Sequence, residues 1–265
     1  MSSIGNGRHA QCNDIRLHYI EYPNDLPPLL ILPGITMPAA TWGFVAERLA
    51  AFAHVYVLDN RGRGLSEGGP HLGYTLDDYA RDGLELIRHL GLIRPNVVGH
   101  SMGARIAVRM AATAPDLIGK LILADPPVTG PGRKPYPAPL SGYLKAIAQT
   151  SAGEGVEEIR SSTGWSDENV NLRMQWLPTC DPHAVAESYR SFHEEDIHSN
   201  LASFPNKTLL MYAERGGTVS DEEAHEFTGM LQYGSKVRIA GAGHMIPWDD
   251  LETFAMTVQN FLARD

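Results

Sequence analysis

The segment Gly99-His100-Ser101-Met102-Gly103 contains the residue types of a serine nucleophile held in a tight turn. It follows the apolar run 96–98 and opens a stretch of helical periodicity, so a strand, a turn and a helix are predicted around it. A G-x-S-x-G nucleophile elbow requires this context, because the turn lifts the serine hydroxyl clear of the sheet. The glycines suit positions where a Cβ would collide with neighbouring backbone. Ser101 is therefore the predicted nucleophile of an acyl-transfer reaction.

A serine hydroxyl is a weak nucleophile until a base removes its proton, and His244 is placed to be that base. It ends the segment Gly241-Ala242-Gly243-His244, after the strand-like run 236–240 and before the final helical stretch. The glycines allow this loop to carry the imidazole back across the end of the sheet. Position along the chain thus distinguishes His244 from the other histidines.

These motifs, the order of the strands and the segment Asp59-Asn60-Arg61-Gly62-Arg63-Gly64-Leu65-Ser66 together resemble the α/β-hydrolase family. The resemblance covers about residues 15–126 and 206–262. It implies a mostly parallel sheet flanked by helices and a triad of serine, histidine and a carboxylate. Residues 59–66 are expected to shape a loop rather than to contact substrate.

The carboxylate that orients the imidazole has three candidates. Most family members carry it in the loop after the strand that corresponds here to residues 208–212, but this chain has glycine where the usual aspartate would fall. Glu214 lies early in that loop, and Asp221 lies at a predicted helix start, where it could instead be an N-cap. Some members place the acid one strand earlier, which favours Asp125 over Glu214 and Asp221.

The oxyanion hole of such an enzyme needs two backbone N–H groups. One is expected from Met102, directly after the nucleophile, and the other from Ile35 in the loop Pro33-Gly34-Ile35. The family commonly has histidine where this chain has Pro33. Since the donor is a backbone group, this difference should be tolerated.

Apolar runs alternate with helix-period segments along most of the chain, which predicts an α/β fold with a mostly parallel sheet. Thr75 is the predicted N-cap of a helix that Gly91 ends. The predicted strands span 15–22, 29–32, 55–58, 96–99, 121–124, 208–212 and 236–240, and the predicted helices span 40–51, 76–90, 102–112, 222–231 and 251–262.

The alternation of strand and helix patterns is absent between Pro126 and Phe204, where a proline-rich stretch is followed by short helical pieces. The predicted organisation is a core of residues 1–126 and 205–265 with a helical cap lobe at 127–204. The lobe would cover the site with aromatic, histidine and arginine side chains. The candidate substrate-binding residues are Arg133, Trp165, Trp176, Tyr189, Arg190, His193 and His198.

The segments LILADPPVTGPGRKPYP and WLPTCDPHAVAESYRSFHEEDIH and the spacing of Ser101, Asp125 and His244 resemble the deformylases of bacterial nicotinate breakdown. This resemblance supports Asp125 as the acid. It implies hydrolysis of the N-formyl amide bond of N-formylmaleamate to maleamate and formate through a formyl-enzyme, without a metal or organic cofactor. The substrate carboxylate would then need a cationic or donor-rich patch in the lobe. A carboxylesterase or a carbon–carbon bond hydrolase of aromatic catabolism, using the same triad, is the alternative.

The composition, 43 % apolar and 20 % charged residues in 265, is that of an ordinary globular protein. A net charge of −9 disfavours nucleic acid and anionic membranes as partners. The resemblance to the deformylases implies a small-molecule carboxylate as the partner. Two cysteines outside any CxxC pair argue against a disulfide scaffold and fit the cytoplasm. The first residues lack the apolar stretch of a signal peptide, and prolines interrupt the long uncharged run 26–46. The oligomeric state is not predicted.

Overall fold

The structure, a computed structural model, describes residues 5–264, and within them the strands form one mixed sheet of eight. The strands are β1 (Asn6–Cys12), β2 (Ile15–Tyr22), β3 (Pro28–Leu32), β4 (His54–Leu58), β5 (Asn96–His100), β6 (Leu121–Ala124), β7 (Thr208–Ala213) and β8 (Gly234–Ile239). Their order in the sheet is β1-β2-β4-β3-β5-β6-β7-β8. β2 pairs antiparallel with both β1 and β4, and the other neighbours are parallel. The predicted strands differ from these only at their ends, and β1 was not predicted.

The helices lie on both faces of the sheet and in the segment between β6 and β7. They are α1 (Gly43–Leu49), α2 (Leu76–His89), α3 (Met102–Thr113), α4 (Leu140–Ser151), α5 (Val156–Thr163), α6 (Asp167–Trp176), α7 (Pro182–Glu194), α8 (Asp221–Gly229), α9 (Ile246–Asp249) and α10 (Leu251–Ala263). The predicted start of α2 is correct, since Thr75 and Asp78 form a capping box. Gly91 follows the helix with a φ of +62°, as a terminating glycine requires.

The core has two halves, one on each face of the sheet. Alternation along β3 shows this division: Leu30 and Leu32 pack on the side of α2 and α3, whereas Leu29 and Ile31 pack on the side of α1 and α10. All four side chains are fully buried, as expected for a central parallel strand covered by helices on both faces. The predicted α/β-hydrolase architecture is therefore confirmed.

The segment between β6 and β7 contains α4 to α7, and no strand is assigned to residues 127–204. A single buried arginine of α3 holds both ends of this segment. Arg105 donates to Pro127 O at 2.8 Å and Thr129 O at 3.1 Å at one end, and to Glu195 O at 2.6 Å at the other. The segment thus starts and finishes on the same helix that follows Ser101.

Residues 59–66 shape the loop after β4, as expected from their pattern. Asp59 is buried and accepts from Ala39 N at 2.6 Å and Leu65 N at 3.0 Å. Arg61 forms a buried ion pair with Asp82 at 2.6 Å. In the described part of the chain, no helix has both the length and the apolar character needed to cross a membrane.

Candidate active site

Ser101 lies in a strained turn between β5 and α3, with a φ of +54° and a ψ of −118°. Such a backbone conformation is energetically unfavourable for a residue with a side chain, and the close packing around it holds it in place here. A Cβ added to Gly103 would collide with the carbonyl of Leu32, and one added to Gly99 would collide with the carbonyl of Gly103. The two glycines therefore let α3 lie directly against the sheet, and Ser101 is presented at the carboxyl end of the central strands.

The loop after β8 places the imidazole of His244 between Ser101 and a buried carboxylate. His244 Nε2 lies 3.1 Å from Ser101 Oγ, and His244 Nδ1 lies 2.6 Å from Asp125 Oδ2. Asp125 is fully buried and also accepts from Ala213 N at 3.1 Å and Thr218 N at 2.8 Å. Burial alone would raise the pKa of Asp125, but these hydrogen bonds, with that from His244 foremost, bring it below its ordinary value. The carboxylate is therefore ionised and able to orient the imidazole.

The other two acid candidates are engaged elsewhere. Glu214 accepts from Gly241 N at 2.8 Å and so supports the turn that precedes His244. Asp221 accepts from the hydroxyl of Tyr212 at 2.8 Å. It is not the N-cap of α8 either, because Ser220 occupies that position and forms a capping box. Neither carboxylate contacts the imidazole.

Gly217, in the loop after β7, packs directly against Asp125. A Cβ added to this glycine would lie 2.8 Å from Asp125 Oδ1 and 2.8 Å from the Cβ of Ala213. The loop can close over the buried carboxylate and donate Thr218 N to it only because this position lacks a side chain. This accounts for a glycine in the loop where the family resemblance places the usual acid.

The loop after β3 passes beside Ser101 and presents one N–H group near it. A Cβ added to Gly34 would lie 3.4 Å from the Cβ of Ser101. Gly34 O accepts from Met37 N at 3.2 Å, and Arg63 Nε donates to Ile35 O at 2.9 Å. These bonds fix the peptide planes on either side of Ile35, whose own N–H has no acceptor in residues 5–264.

Met102 supplies a second N–H group. It is the first residue of α3, where the backbone N–H has no intrahelical acceptor. No other acceptor for it is found in the part of the chain that the structure describes. The two residues expected to supply backbone donors therefore lie beside Ser101, Ile35 in the loop after β3 and Met102 at the start of α3.

His100, which precedes the serine, contacts the loop of the candidate base. Its Nε2 donates to His244 O at 2.9 Å, and its ring lies 5.0 Å from that of His244. Burial lowers the pKa of His100 to about 3, so the ring is neutral and its Nδ1 carries a lone pair. The sequence motif contained this residue, but only the structure shows that it holds the His244 backbone.

A cavity of about 470 Å³ opens above Ser101, a volume in the usual range of small-molecule sites. Its lining combines Ser101, His244 and the loop after β3 with side chains of α4, α5 and α6. Trp165 is part of this lining and stacks on Trp248 with ring centroids 5.5 Å apart. Of the seven predicted substrate-binding residues, only Trp165 lines this cavity.

The predicted arginines do not reach the cavity because carboxylates on the surface bind them. Arg133 pairs with Glu226 of α8 at 2.5 Å. Arg190 is exposed and pairs with Glu187 and Glu194 of its own helix, each at 2.5 Å. These two cations are therefore neutralised outside the site.

The remaining predicted residues pack within the segment between β6 and β7 or against residues outside it. His193 accepts from Tyr136 N at 3.2 Å, and the Tyr189 ring packs on that of Phe192. His198 is buried against Phe227. Trp176, at the end of α6, is also absent from the lining. The aromatic pattern of residues 127–204 thus indicated the packing of this segment more than the substrate site.

Arg173 of α6 is a lining residue that the sequence analysis missed. It binds the Thr36 carbonyl and donates to Thr36 Oγ1 at 3.0 Å and to Met37 Sδ at 3.2 Å. No Asp or Glu lies within ion-pair distance of it among residues 5–264. Its sequence neighbourhood, Asn171-Leu172-Arg173-Met174-Gln175, carries no motif that could have identified it.

The comparisons agree with this geometry, which is that of acyl transfer to a serine. The α/β-hydrolase fold family model matches residues 27–251. N-formylmaleamate deformylase of Pseudomonas putida is 43 % identical over 263 residues, which cover 99 % of this chain and 98 % of that protein. The 2-(acetamidomethylene)succinate hydrolase of Mesorhizobium japonicum is 39 % identical over 89 % of this chain and 88 % of its own length.

Solved structures extend the likeness to three dimensions. A crystal structure of the N-formylmaleamic acid deformylase from Pseudomonas putida S16 matches with a TM-score of 0.92 at 43 % identity. The match covers 96 % of this chain and 100 % of the other. With the elbow, the sheet order and the family model in agreement, this chain belongs to the α/β-hydrolase family.

Proposed function

We propose that this protein hydrolyses the N-formyl amide bond of N-formylmaleamate, giving maleamate and formate. The observation that carries the proposal is the 43 % identity to the Pseudomonas putida deformylase, which extends over 99 % of this chain and 98 % of that protein. A likeness of this extent includes both the sheet and the segment between β6 and β7. The sequence resemblance to deformylases pointed to the same reaction.

Ser101 is the proposed nucleophile, His244 the base and Asp125 the acid of the triad. Ser101 Oγ attacks the formyl carbon while His244 Nε2, 3.1 Å away, accepts the hydroxyl proton. The imidazolium that forms is stabilised by Asp125, 2.6 Å from Nδ1. The N–H groups of Ile35 and Met102 donate to the oxygen that becomes negative.

Collapse of this intermediate breaks the bond between the formyl carbon and nitrogen. The leaving nitrogen is conjugated to the maleamyl carbonyl, so it departs more readily than an amine anion, and His244 returns the proton to it. Maleamate is then free and the formyl group is an ester of Ser101. Water, deprotonated by His244, attacks this ester, and formate leaves as Ser101 regains its proton. These steps need neither a metal nor an organic cofactor.

Residues 127–204 are proposed to form a cap over the core of residues 1–126 and 205–265. Support comes from the cavity lining, to which α4 contributes Tyr143, α5 contributes Ile159 and the following turn contributes Trp165. Side chains of this segment therefore face Ser101 across the cavity. Covering the site in this way limits water around the triad and strengthens its electrostatic interactions.

The proposed partner is a small anionic molecule, and the proposed compartment is the cytoplasm. Cys12 and Cys180 are both buried and free, which suits a reducing environment. The net charge of −9 disfavours nucleic acid as a partner.

Formate release from N-formylmaleamate tests the function directly. We expect rapid release by the wild-type protein and none above background by the Ser101→Ala variant, which keeps the fold and lacks the nucleophile. The alternative, a carboxylesterase or carbon–carbon bond hydrolase, is tested in parallel with short aryl esters. A kcat/KM for N-formylmaleamate no higher than that for an aryl ester would contradict the proposed substrate.

A further inference from the structure

Not all the charged side chains that line the cavity above Ser101 are paired with an opposite charge. Lys145 and Glu158 lie at its mouth, where their side chains are 62 % and 57 % exposed and pair with each other at 3.2 Å. Their charges cancel and are screened by solvent. Arg173 lies deeper, on α6, and no carboxylate of residues 5–264 pairs with it. The cavity therefore has an uncompensated positive charge at Arg173.

The contacts of Arg173 leave part of its guanidinium free. The Thr36 carbonyl, Thr36 Oγ1 and Met37 Sδ occupy hydrogens of the two terminal nitrogens. Nε–H and one Nη2 hydrogen then have no acceptor in the described part of the chain. Nε and Nη2 lie side by side on one edge of the guanidinium, the edge that can bind a carboxylate through both of its oxygens.

Thr36 adds a donor next to the guanidinium. Its Oγ1 accepts from Arg173 at 3.0 Å, so its own hydroxyl hydrogen remains available for a ligand. Thr36 also follows Ile35, the candidate oxyanion donor, directly in the chain. An anion bound here would therefore lie within the same cavity as the carbonyl that Ser101 attacks, at the other end of a short molecule.

An arginine without a counter-ion in a cavity is energetically unfavourable, because burial disfavours the charged form. Burial does lower the pKa of Arg173, although a guanidinium stays protonated at neutral pH. A ligand carboxylate would supply the missing charge. Arg190, by contrast, is exposed and already paired with two glutamates.

We propose that Arg173 and the Thr36 hydroxyl form a carboxylate subsite that selects acyl substrates with an anionic group at the end distant from the attacked carbonyl. This inference rests on the proposed function only for the identity of the molecule that carries the carboxylate. Arg173 determines specificity, and the bond-breaking steps remain with Ser101 and His244.

Calorimetric titration with maleamate tests the subsite without requiring turnover. We expect Arg173→Met to weaken maleamate binding by roughly 10- to 100-fold, the range expected for hydrogen bonds to a charged group. Binding of the neutral diamide maleamide should change by less than about threefold, because it lacks the carboxylate. Arg190→Met removes the same charge outside the cavity and should leave both affinities unchanged.

Kinetics give a second readout. With N-formylmaleamate, Arg173→Met should raise KM by a similar factor and leave kcat nearly unchanged, since the contact is the same in the ground and transition states. Arg173→Lys, which keeps the charge without the parallel donors, should be intermediate. It also replaces the methionine variant if that variant does not fold by circular dichroism.

Three results would overturn the subsite: no measurable maleamate binding to the wild type, equal maleamate affinity in wild type and Arg173→Met, or equal losses for maleamate and maleamide. Equal losses would mean that Arg173 only holds the loop of Thr36 in place. Should the wild type bind maleamate through Arg173 but release no formate from N-formylmaleamate, the subsite stands and the proposed function fails.

Discussion

Among the individual residues, the carboxylate that contacts the His244 imidazole comes from the end of β6 rather than from the loop after β7. Asp125 is buried and accepts three hydrogen bonds from nitrogen donors, whereas Glu214 and Asp221 serve other parts of the fold. We expect Asp125→Asn to lower kcat/KM for formate release by about 10⁴-fold, because the imidazole loses its orienting charge.

The matched controls for this prediction are Glu214→Gln and Asp221→Asn. Each removes one carboxylate charge near the same end of the sheet, and both variants should keep most of the activity. A large loss in either control, with activity retained in Asp125→Asn, would move the acid to the loop after β7.

The neutral His100 links stability to pH. Its ordinary pKa of 6.5 applies in the unfolded chain, and in the folded protein burial lowers the pKa to about 3. Between these values the unfolded state binds the proton and the folded state does not, so acidification favours unfolding. Between pH 6.5 and about 3, the titration of His100 should lower the free energy of unfolding by about 1.4 kcal/mol for each pH unit of acidification.

Urea unfolding at pH 7, 6 and 5 measures this effect in the wild type and in His100→Gln. The glutamine can still donate to His244 O but does not titrate, so its unfolding free energy should fall less on acidification. Identical pH dependence in both proteins would show that His100 is protonated in the folded state or remains neutral in both states.

Much of the candidate site could be predicted from the sequence because its residues belong to short local patterns. Ser101 lies in a motif whose glycines are required by backbone contacts, and His244 follows a glycine-containing loop. Arg173 could not be predicted in this way, because its role depends on which helix of the segment between β6 and β7 faces the cavity. Nothing in the sequence separates Arg173 from the predicted Arg133 and Arg190, whereas in the structure only Arg173 of these three lines the cavity and the other two pair with surface glutamates.

At the scale of elements, the elbow depends on the contact between α3 and β3. A Cβ at Gly103 would meet the carbonyls of Leu32 and Pro33, which are backbone atoms that cannot rotate away. Gly103→Ala should therefore lower the free energy of unfolding by about 1–3 kcal/mol and reduce activity by displacing Ser101.

Gly229→Ala is the control for this substitution. Gly229 ends α8, and a Cβ added there would meet no atom within 4 Å. Alanine should leave the free energy of unfolding unchanged or raise it by up to about 1 kcal/mol, because it has the higher helix propensity. Chemical denaturation of both variants checks the pair, and equal effects would contradict the steric account.

The elements themselves follow from the sequence where their pattern is strong. The central strands are apolar on both faces, and β2 and β6 have the predicted bounds. β1 escaped prediction because it is an edge strand with mostly exposed, polar residues. The predicted helix 40–51 is instead a 3₁₀ turn at Ala39–Trp42 followed by α1, a change that the apolar periodicity does not encode.

For the molecule as a whole, the reactivity of the two cysteines can measure separately the opening of the sheet and that of the segment between β6 and β7. Cys12 lies in β1, and Cys180 lies between α6 and α7. Burial raises the pKa of both thiols to about 11, so neither is a thiolate at pH 8. Because Arg63 and Arg105 tie the segment to the core, we expect both thiols to resist iodoacetamide until the whole protein unfolds.

Peptide mapping by mass spectrometry after timed labelling checks this expectation. Protein unfolded in urea should be labelled at both positions. Labelling of Cys180 well before Cys12 under native conditions would show instead that the segment between β6 and β7 opens independently of the sheet.

The close packing of Gly217 on Asp125 also limits where a second carboxylate could be placed in this site. An aspartate at position 217 would bring a second carboxylate against the first, because its Cβ alone would lie 2.8 Å from Asp125 Oδ1. Two negative charges so close would repel and trap a proton, and the imidazole would lose its fixed orientation. A second acid at the end of β7 is therefore incompatible with Asp125 in its present position, and moving the acid from one strand end to the other would require both positions to change together.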